Sequence, residues 1–200
     1  MFLDTAPPMQ YLIAGRAALD GVALDPRLVV AQGEMIVIEG PWVLGAPIIA
    51  RGDHGVLADI GRRASAPGLH AFAVEALADP GAGEAFVIGA HRVHDPEGFR
   101  PYAEQVAAVV QSFGGRFLAR GGKVMPLGGD FVPDRAVIIE FPAAADAVAF
   151  YVSDVYAPLL KIRPAAADPC FVVVARAGAL PAEARAAAES YLRARAASSH

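Results

Sequence analysis

The sequence predicts an α+β protein: two antiparallel sheets, each carrying helices on one face, stacked with their bare faces together. Three observations predict this. Strand-like and helix-like stretches run in a β-α-β-β-α-β order through the second half of the chain. A weaker copy of that order runs through the first half. Apolar residues make up 55% of the 200-residue chain against 19% charged, which is ample for a packed core and too apolar for a disordered protein.

The second half reads most clearly. EAFVIGAHRV (84–93) is a β-rich run. HDPEGF then marks a helix start, with Asp95 as N-cap and Pro96 in the first helical position, where a missing N–H costs nothing. Phe99, Tyr102, Val106, Val110 and Phe113 continue at three- and four-residue steps, one apolar stripe on a helix. Gly114 and Gly115 end it. RFLAR (116–120) and KVMPL (123–127) read as strands, LGGD as a turn, and RAVIIEFP (135–142) as a buried strand stopped by Pro142. A helix is expected from Ala143 to Tyr156, with Pro158 and Pro164 breaking the chain beyond it. CFVVVAR (170–176) is the last strand. The whole is a ferredoxin-like unit.

In the first half, QYLIAGRA (10–17) takes the place of the first strand, and GEMIVIEGPWVLG (33–45) resembles GRFLARGGKVMPLG (115–128). APIIARGD (46–53) matches RAVIIEFP; HGVLADIGRRASAPG (54–68) falls at the second helix and LHAFAVEAL (69–77) at the last strand. The first helix is missing, since only AALDGVALDPRLVVAQ joins the first two strands. The expected organisation is a degenerate module over 1–78, a linker at 79–83, a full module over 84–177, and a surface helix or tail over 178–200. The two modules would form a barrel-like pseudo-dimer within one chain.

Several function classes are disfavoured. A net charge of −4 gives no electrostatic reason to bind nucleic acid. The most apolar long window, residues 28–50, contains Glu34, Glu39, three glycines and two prolines, so it reads as strands and turns and no membrane contact is expected. MFLDTAPPMQ lacks a basic start and a long apolar run, so no signal peptide is read and a cytoplasmic protein is expected. Cys170, the single cysteine, opens an apolar run and reads as a small buried hydrophobe. The stretch GGRFLARGGK (114–123) is no phosphate loop: Phe117 stands where the first glycine of G-x-x-x-x-G-K-[ST] belongs, and Val124 comes after Lys123. Gly81 and Gly83 are succeeded by Phe86 and a strand, so a dinucleotide fingerprint fails too. His91 and His94 have no third ligand at metal spacing, and His54, His70 and His200 show none; neither a metal nor a cofactor is expected.

YAEQVAAVVQSFGGRFLARGG, then PDRAVIIEFP, then FYVSDVYAPLLKIRPAAA, resembles the domain-of-unknown-function 1330 family, over residues 84 to about 176. The resemblance implies a dimeric α/β barrel, in which two ferredoxin-like units place their sheets face to face. It implies no reaction. Tyr102, Tyr156 and Arg163 match family positions and are candidate ligand-binding residues. The first half lacks the G-G-R motif and the E-F-P strand end, so here one chain would supply both halves of the barrel. A further homodimer of whole chains would cover apolar surface left by the shortened module.

Alternation along a strand puts Arg116, Leu118 and Arg120 on one face, with the arginines either paired to Glu140, Asp130 or Asp134 or orienting an anionic ligand. Glu140 interrupts an apolar strand, and a buried carboxylate needs a partner; Arg116 or Arg120 would serve, leaving Glu140 structural or a tuned general base. His91 is the second catalytic candidate, because imidazole is easily tuned near neutral pH. Three functional classes fit these residues. One is a small-molecule-binding or enzymatic barrel acting on a small organic acid or aromatic compound. Another is a non-catalytic ligand-binding or interaction module. The last, a cofactor-assisted monooxygenase-like protein, rests on fold analogy alone.

Overall fold

A computed structural model describes residues 9–63 and 70–197 of the chain. The expected start of the chain, the end of the helix over 54–68, Leu69 and His200 lie outside the described residues.

Among the described residues, ten strands form two antiparallel five-stranded sheets. The first sheet contains β1 (Met9–Gly15), β2 (Val29–Ala31), β4 (Pro47–Asp53) and β5 (Ala71–Glu75) in the order β2-β4-β1-β5. The second contains β6 (Ala85–Val93), β7 (Arg116–Arg120), β9 (Arg135–Phe141) and β10 (Ala167–Ala175) in the order β7-β9-β6-β10. These are the same order, the ferredoxin-like one. The modules then exchange a strand. β3 (Met35–Glu39) leaves the first half to pair with β10, and β8 (Val124–Gly128) leaves the second half to pair with β5.

The sheets face each other across one apolar layer. Tyr11, Ile13, Phe72 and Val74 of the first meet Phe86, Ile88, Ile138 and Val172 of the second, all with no exposure. Period-2 alternation explains the choice: in β6, Phe86 and Ile88 point inward while Val87 and His91 point outward to the helices. Truncating any of the inner phenylalanines costs about 3–5 kcal/mol.

Outside the second sheet lie α2 (Pro96–Ser112), α3 (Ala144–Val152), α4 (Leu159–Ala166) and α5 (Ala182–Ala197). Asp95 caps α2 through the Gly98 N–H at 3.0 Å, with Pro96 next as expected, and Gly114 takes the left-handed conformation at φ 72° beyond its end. The helix expected to run to Tyr156 stops at Val152, and Pro164 lies inside α4 instead of ending a helix. α5 is no loose tail: Ala184 and Ala188 are buried and Tyr191 packs behind them. The sequence conceals this because small alanines carry a weak apolar signal. Outside the first sheet lie α1 (His54–Arg63) and two short 3-10 turns, Arg16–Leu19 and Pro26–Leu28, in place of a first helix.

The irregularities of the two modules coincide. β2 shifts register against β4 between Val29 and Ala31; β7 shifts against β9 between Phe117 and Ala119. β5 shifts against β8 between Ala71 and Phe72; β10 shifts against β3 between Phe171 and Val172. Matching these bulges places Ile13 over Ile88, Ile49 over Ile138, Ala14 over Gly89 and Arg16 over His91. It also places β3 over β8, so that Gly40-Pro41-Trp42-Val43 lies over Gly129-Asp130-Phe131-Val132, with both glycines at positive φ. Sequence similarity alone sets 33–45 against 115–128, one strand out of step, because it treats β7 and β8 as a continuation of one motif.

Candidate functional site

The bulge in β7 decides which residues can meet. It turns Leu118 and Ala119 together into the inner core, so Arg116 and Arg120 leave on opposite faces and not, as strict alternation predicts, on one. Arg120 falls opposite Val137 on the helix side; Arg116 falls opposite Glu140 on the inner side.

On the helix side His91, at the end of β6, sits beneath α2. Its ring packs against Phe99 at 5.3 Å, Tyr102 at 6.3 Å and Phe171 at 5.0 Å between centroids. It is 1% exposed, and its Nδ1 has no hydrogen-bond partner. Burial, with the nearby Arg135 cation, presses its pKa down to about 3, so the imidazole is neutral at physiological pH. A cavity of about 30 Å³ lies over it, lined by His91, Tyr102, Phe117, Arg120, Arg135 and Val137 among others. That is room for roughly two waters. Arg120 donates to the Ala103 carbonyl at 2.7 Å and lies over Phe117; Arg135 lies over Phe99. Neither guanidinium forms an ion pair among the described residues. Gly121 takes the left-handed conformation at φ 64°, which favours glycine, beside the Arg135 guanidinium.

Behind Tyr102 the same helix layer holds a buried polar cluster. Arg163 is fully buried, on the α4 stripe Leu159, Arg163, Ala166. Its Nη2 donates to Glu39 Oε2 and, at 3.0 Å, to the Tyr151 hydroxyl; its Nη1 donates to the Tyr156 hydroxyl and, at 3.3 Å, to that of Tyr102. Tyr151 donates to the same Glu39 oxygen, and the Tyr102 and Tyr156 hydroxyls are 3.0 Å apart. Arg195 of α5 donates to Glu39 Oε1 at 2.8 Å. Arg163 also stacks on Phe171, 4.3 Å from the ring centre. Burial and the Arg195 cation lower the Arg163 pKa to about 9, which leaves it charged at neutral pH. Burial pushes the three phenols up. Glu39 belongs to β3, so this cluster ties the first module to the second.

Glu140 lies at the other end of β9, 3% exposed. It accepts from the Gly81 N–H at 2.9 Å, the Gly83 N–H at 3.2 Å, Arg116 Nε at 2.6 Å and Arg176 Nη2 at 2.9 Å. The carboxylate thereby holds Gly81 and Gly83, just ahead of β6. Arg116 is its partner; Arg120 is not.

Of the residues singled out from sequence, His91, Tyr102 and Arg120 line one cavity; Tyr156 and Arg163 adjoin it through Tyr102; Arg116 and Glu140 form a separate group. Sequence reasoning missed Glu39, Tyr151, Arg135 and Arg195. Glu39 carries a signal, a carboxylate inside the apolar run MIVIE, but in sequence it speaks only against a membrane span. Among the described residues no group of three His, Cys, Asp or Glu could hold a metal, and no helix is long and apolar enough to cross a membrane.

Fold and cleft together define a two-sheet α+β protein whose His91 cleft and Arg163 cluster lie between the second sheet and its helices. Residues 84–177 match the family model described as Domain of unknown function (DUF1330). The matched stretch runs from the start of β6 to just past β10. No curated protein matches the chain.

Proposed function

We propose that this chain is a fused pair of ferredoxin-like modules, residues 1–78 and 84–177, joined by the segment 79–83, that binds a compact organic carboxylate without transforming it. The ligand site is the cleft over His91. The observation that carries this reading is a neutral, buried imidazole with a free Nδ1 beneath two guanidiniums that lack carboxylate partners. Arg120 and Arg135 receive the carboxylate, and Phe99, Phe117 and Val106 receive the body. The cavity is small, so entry requires the two arginine side chains to swing outward.

Binding without turnover is favoured over catalysis for two reasons. A general base at neutral pH needs a pKa near the working pH, and that of His91 is pressed down to about 3 by burial and the Arg135 cation. Glu140 has its oxygens engaged by two amides and two arginines. The test is a thermal-shift titration with benzoate. Benzoate should raise the melting temperature of the wild type, because a ligand of the native state stabilises it by mass action. The Arg120→Ala/Arg135→Ala double variant should lose that response. An unchanged response in the variant, or none in the wild type, removes the site.

A further inference from the structure

The corresponding place in the first module is not closed. Matching the bulges puts Arg16 at the position of His91, Ile48 at that of Val137, Val29 at that of Phe117 and Gln32 at that of Arg120. In the second module these positions line the cavity of about 30 Å³ beneath α2. In the first they line a groove of about 510 Å³, because two 3-10 turns stand where a helix would lie. Its walls are apolar: Leu19, Val22, Leu24, Val29 and Ile48. Arg16 and Arg176 supply cations, and the exposed Asp20 is also part of the lining. Arg176 is turned to Glu140, which it shares with Arg116. Arg16 donates to the Gln32 carbonyl and has no carboxylate partner among the described residues.

From this we infer that the first module carries its own ligand site, in the register of the His91 cleft but opened by loss of the helix. Its ligand is a larger amphipathic carboxylate. The acid group pairs with Arg16, and an aliphatic or aromatic body lies along the apolar wall. The volume is in the range of sites for small organic ligands, and the arrangement of one cation over an apolar floor selects an acid over a neutral analogue. This groove is a different cavity from the His91 cleft, so its occupancy is independent of ligand binding there.

The test is a titration of the full chain with octanoate, read by methyl NMR of the leucines and valines. Octanamide serves as the uncharged control. Octanoate should shift the methyls of Leu19, Val22, Leu24 and Val29 and bind more tightly than octanamide. Arg16→Ala should weaken octanoate roughly tenfold or more. Val29→Trp fills the groove and should abolish the shifts, with circular dichroism and the denaturation midpoint confirming that each variant folds. Absence of shifts at millimolar octanoate overturns the inference. Equal affinity for octanoate and octanamide does so too, as does loss of binding on Arg120→Ala with Arg16→Ala silent. A dimer in sedimentation that Val29→Trp dissociates also overturns it, because a second copy would then be the occupant of the groove.

Discussion

The two modules share strand order, bulges and inner core, yet they differ at each matched position of the two proposed sites. Where the second has Gly89 and Phe171, the first has Ala14 and Ala71. Where β3 delivers Glu39 to Arg163, its counterpart β8 ends in Gly128. Where α2 roofs His91, two short turns leave Arg16 beside an open groove. Inner-face residues at the centre of each sheet must fit the opposing sheet and are apolar in both modules; outer-face residues answer to their own helices and differ between the modules. The polar cluster is therefore single and asymmetric, built from Glu39 of one half and Arg163, Tyr151 and Tyr156 of the other.

The largest effect should come from breaking that cluster. Glu39→Leu leaves Arg163 buried and uncompensated and should cost about 3–5 kcal/mol in urea unfolding. Arg163→Met is milder, because Glu39 keeps Arg195. The Glu39→Leu/Arg163→Met double variant should be more stable than Glu39→Leu alone, since no unpaired Arg163 charge remains in the core. A double variant whose loss equals the sum of the singles would show that the pair is not coupled. Next in size is the exchange of small residues. Gly89→Ala drives a methyl into the Phe171 ring and Val137 and should cost about 1–3 kcal/mol. Ala14→Gly, at the matching register, should cost less, by roughly 1 kcal/mol or under. A Gly89→Ala cost no larger than that of Ala14→Gly would mean that the Phe171 ring yields to the added methyl.

Much of this architecture is legible in the sequence. The second module's strands, the Asp95-Pro96 start of α2 and the missing first helix are local signals, and they hold. The bulge at Leu118 is not local: it arises from what β7 must fit on β9 and in the inner core, and it alone separates Arg116 from Arg120. The strand exchange is likewise invisible, because MIVIE and VMPLG look like ordinary hairpin strands whichever sheet they join. Arg163 is recognisable as a candidate, but its partner is more than a hundred residues away on an exchanged strand, so no spacing rule reaches it. The open groove in the first module is a consequence of the missing helix, yet its register with His91 requires the pairing.

A third prediction compares the matched pair His91 and Arg16 by pH. Folding lowers the pKa of His91 from an ordinary 6.5 to about 3. Between those values the unfolded chain binds the extra proton, so stability present above pH 6.5 is lost as pH falls toward 3. His91→Phe keeps a ring among Phe99, Tyr102 and Phe171 and removes the proton site. Its stability relative to wild type should rise by about 2 kcal/mol between pH 7 and pH 5. Arg16→Ala should show no such trend, because a guanidinium does not titrate there. A flat His91→Phe difference would place the pH dependence of folding elsewhere.

The smallest stability effect is expected where the cleft is open to solvent. Arg120 is exposed and its guanidinium donates to a helix carbonyl, so Arg120→Gln, which installs the residue found at the matched position 32, should change stability by less than about 0.5 kcal/mol. Benzoate affinity should nevertheless fall by roughly tenfold, because glutamine offers neither charge nor a planar fork to a carboxylate. A loss of stability without a loss of affinity would mark Arg120 as a strut for α2. A loss of affinity alone makes the difference between Arg120 and Gln32 a difference in what each module binds.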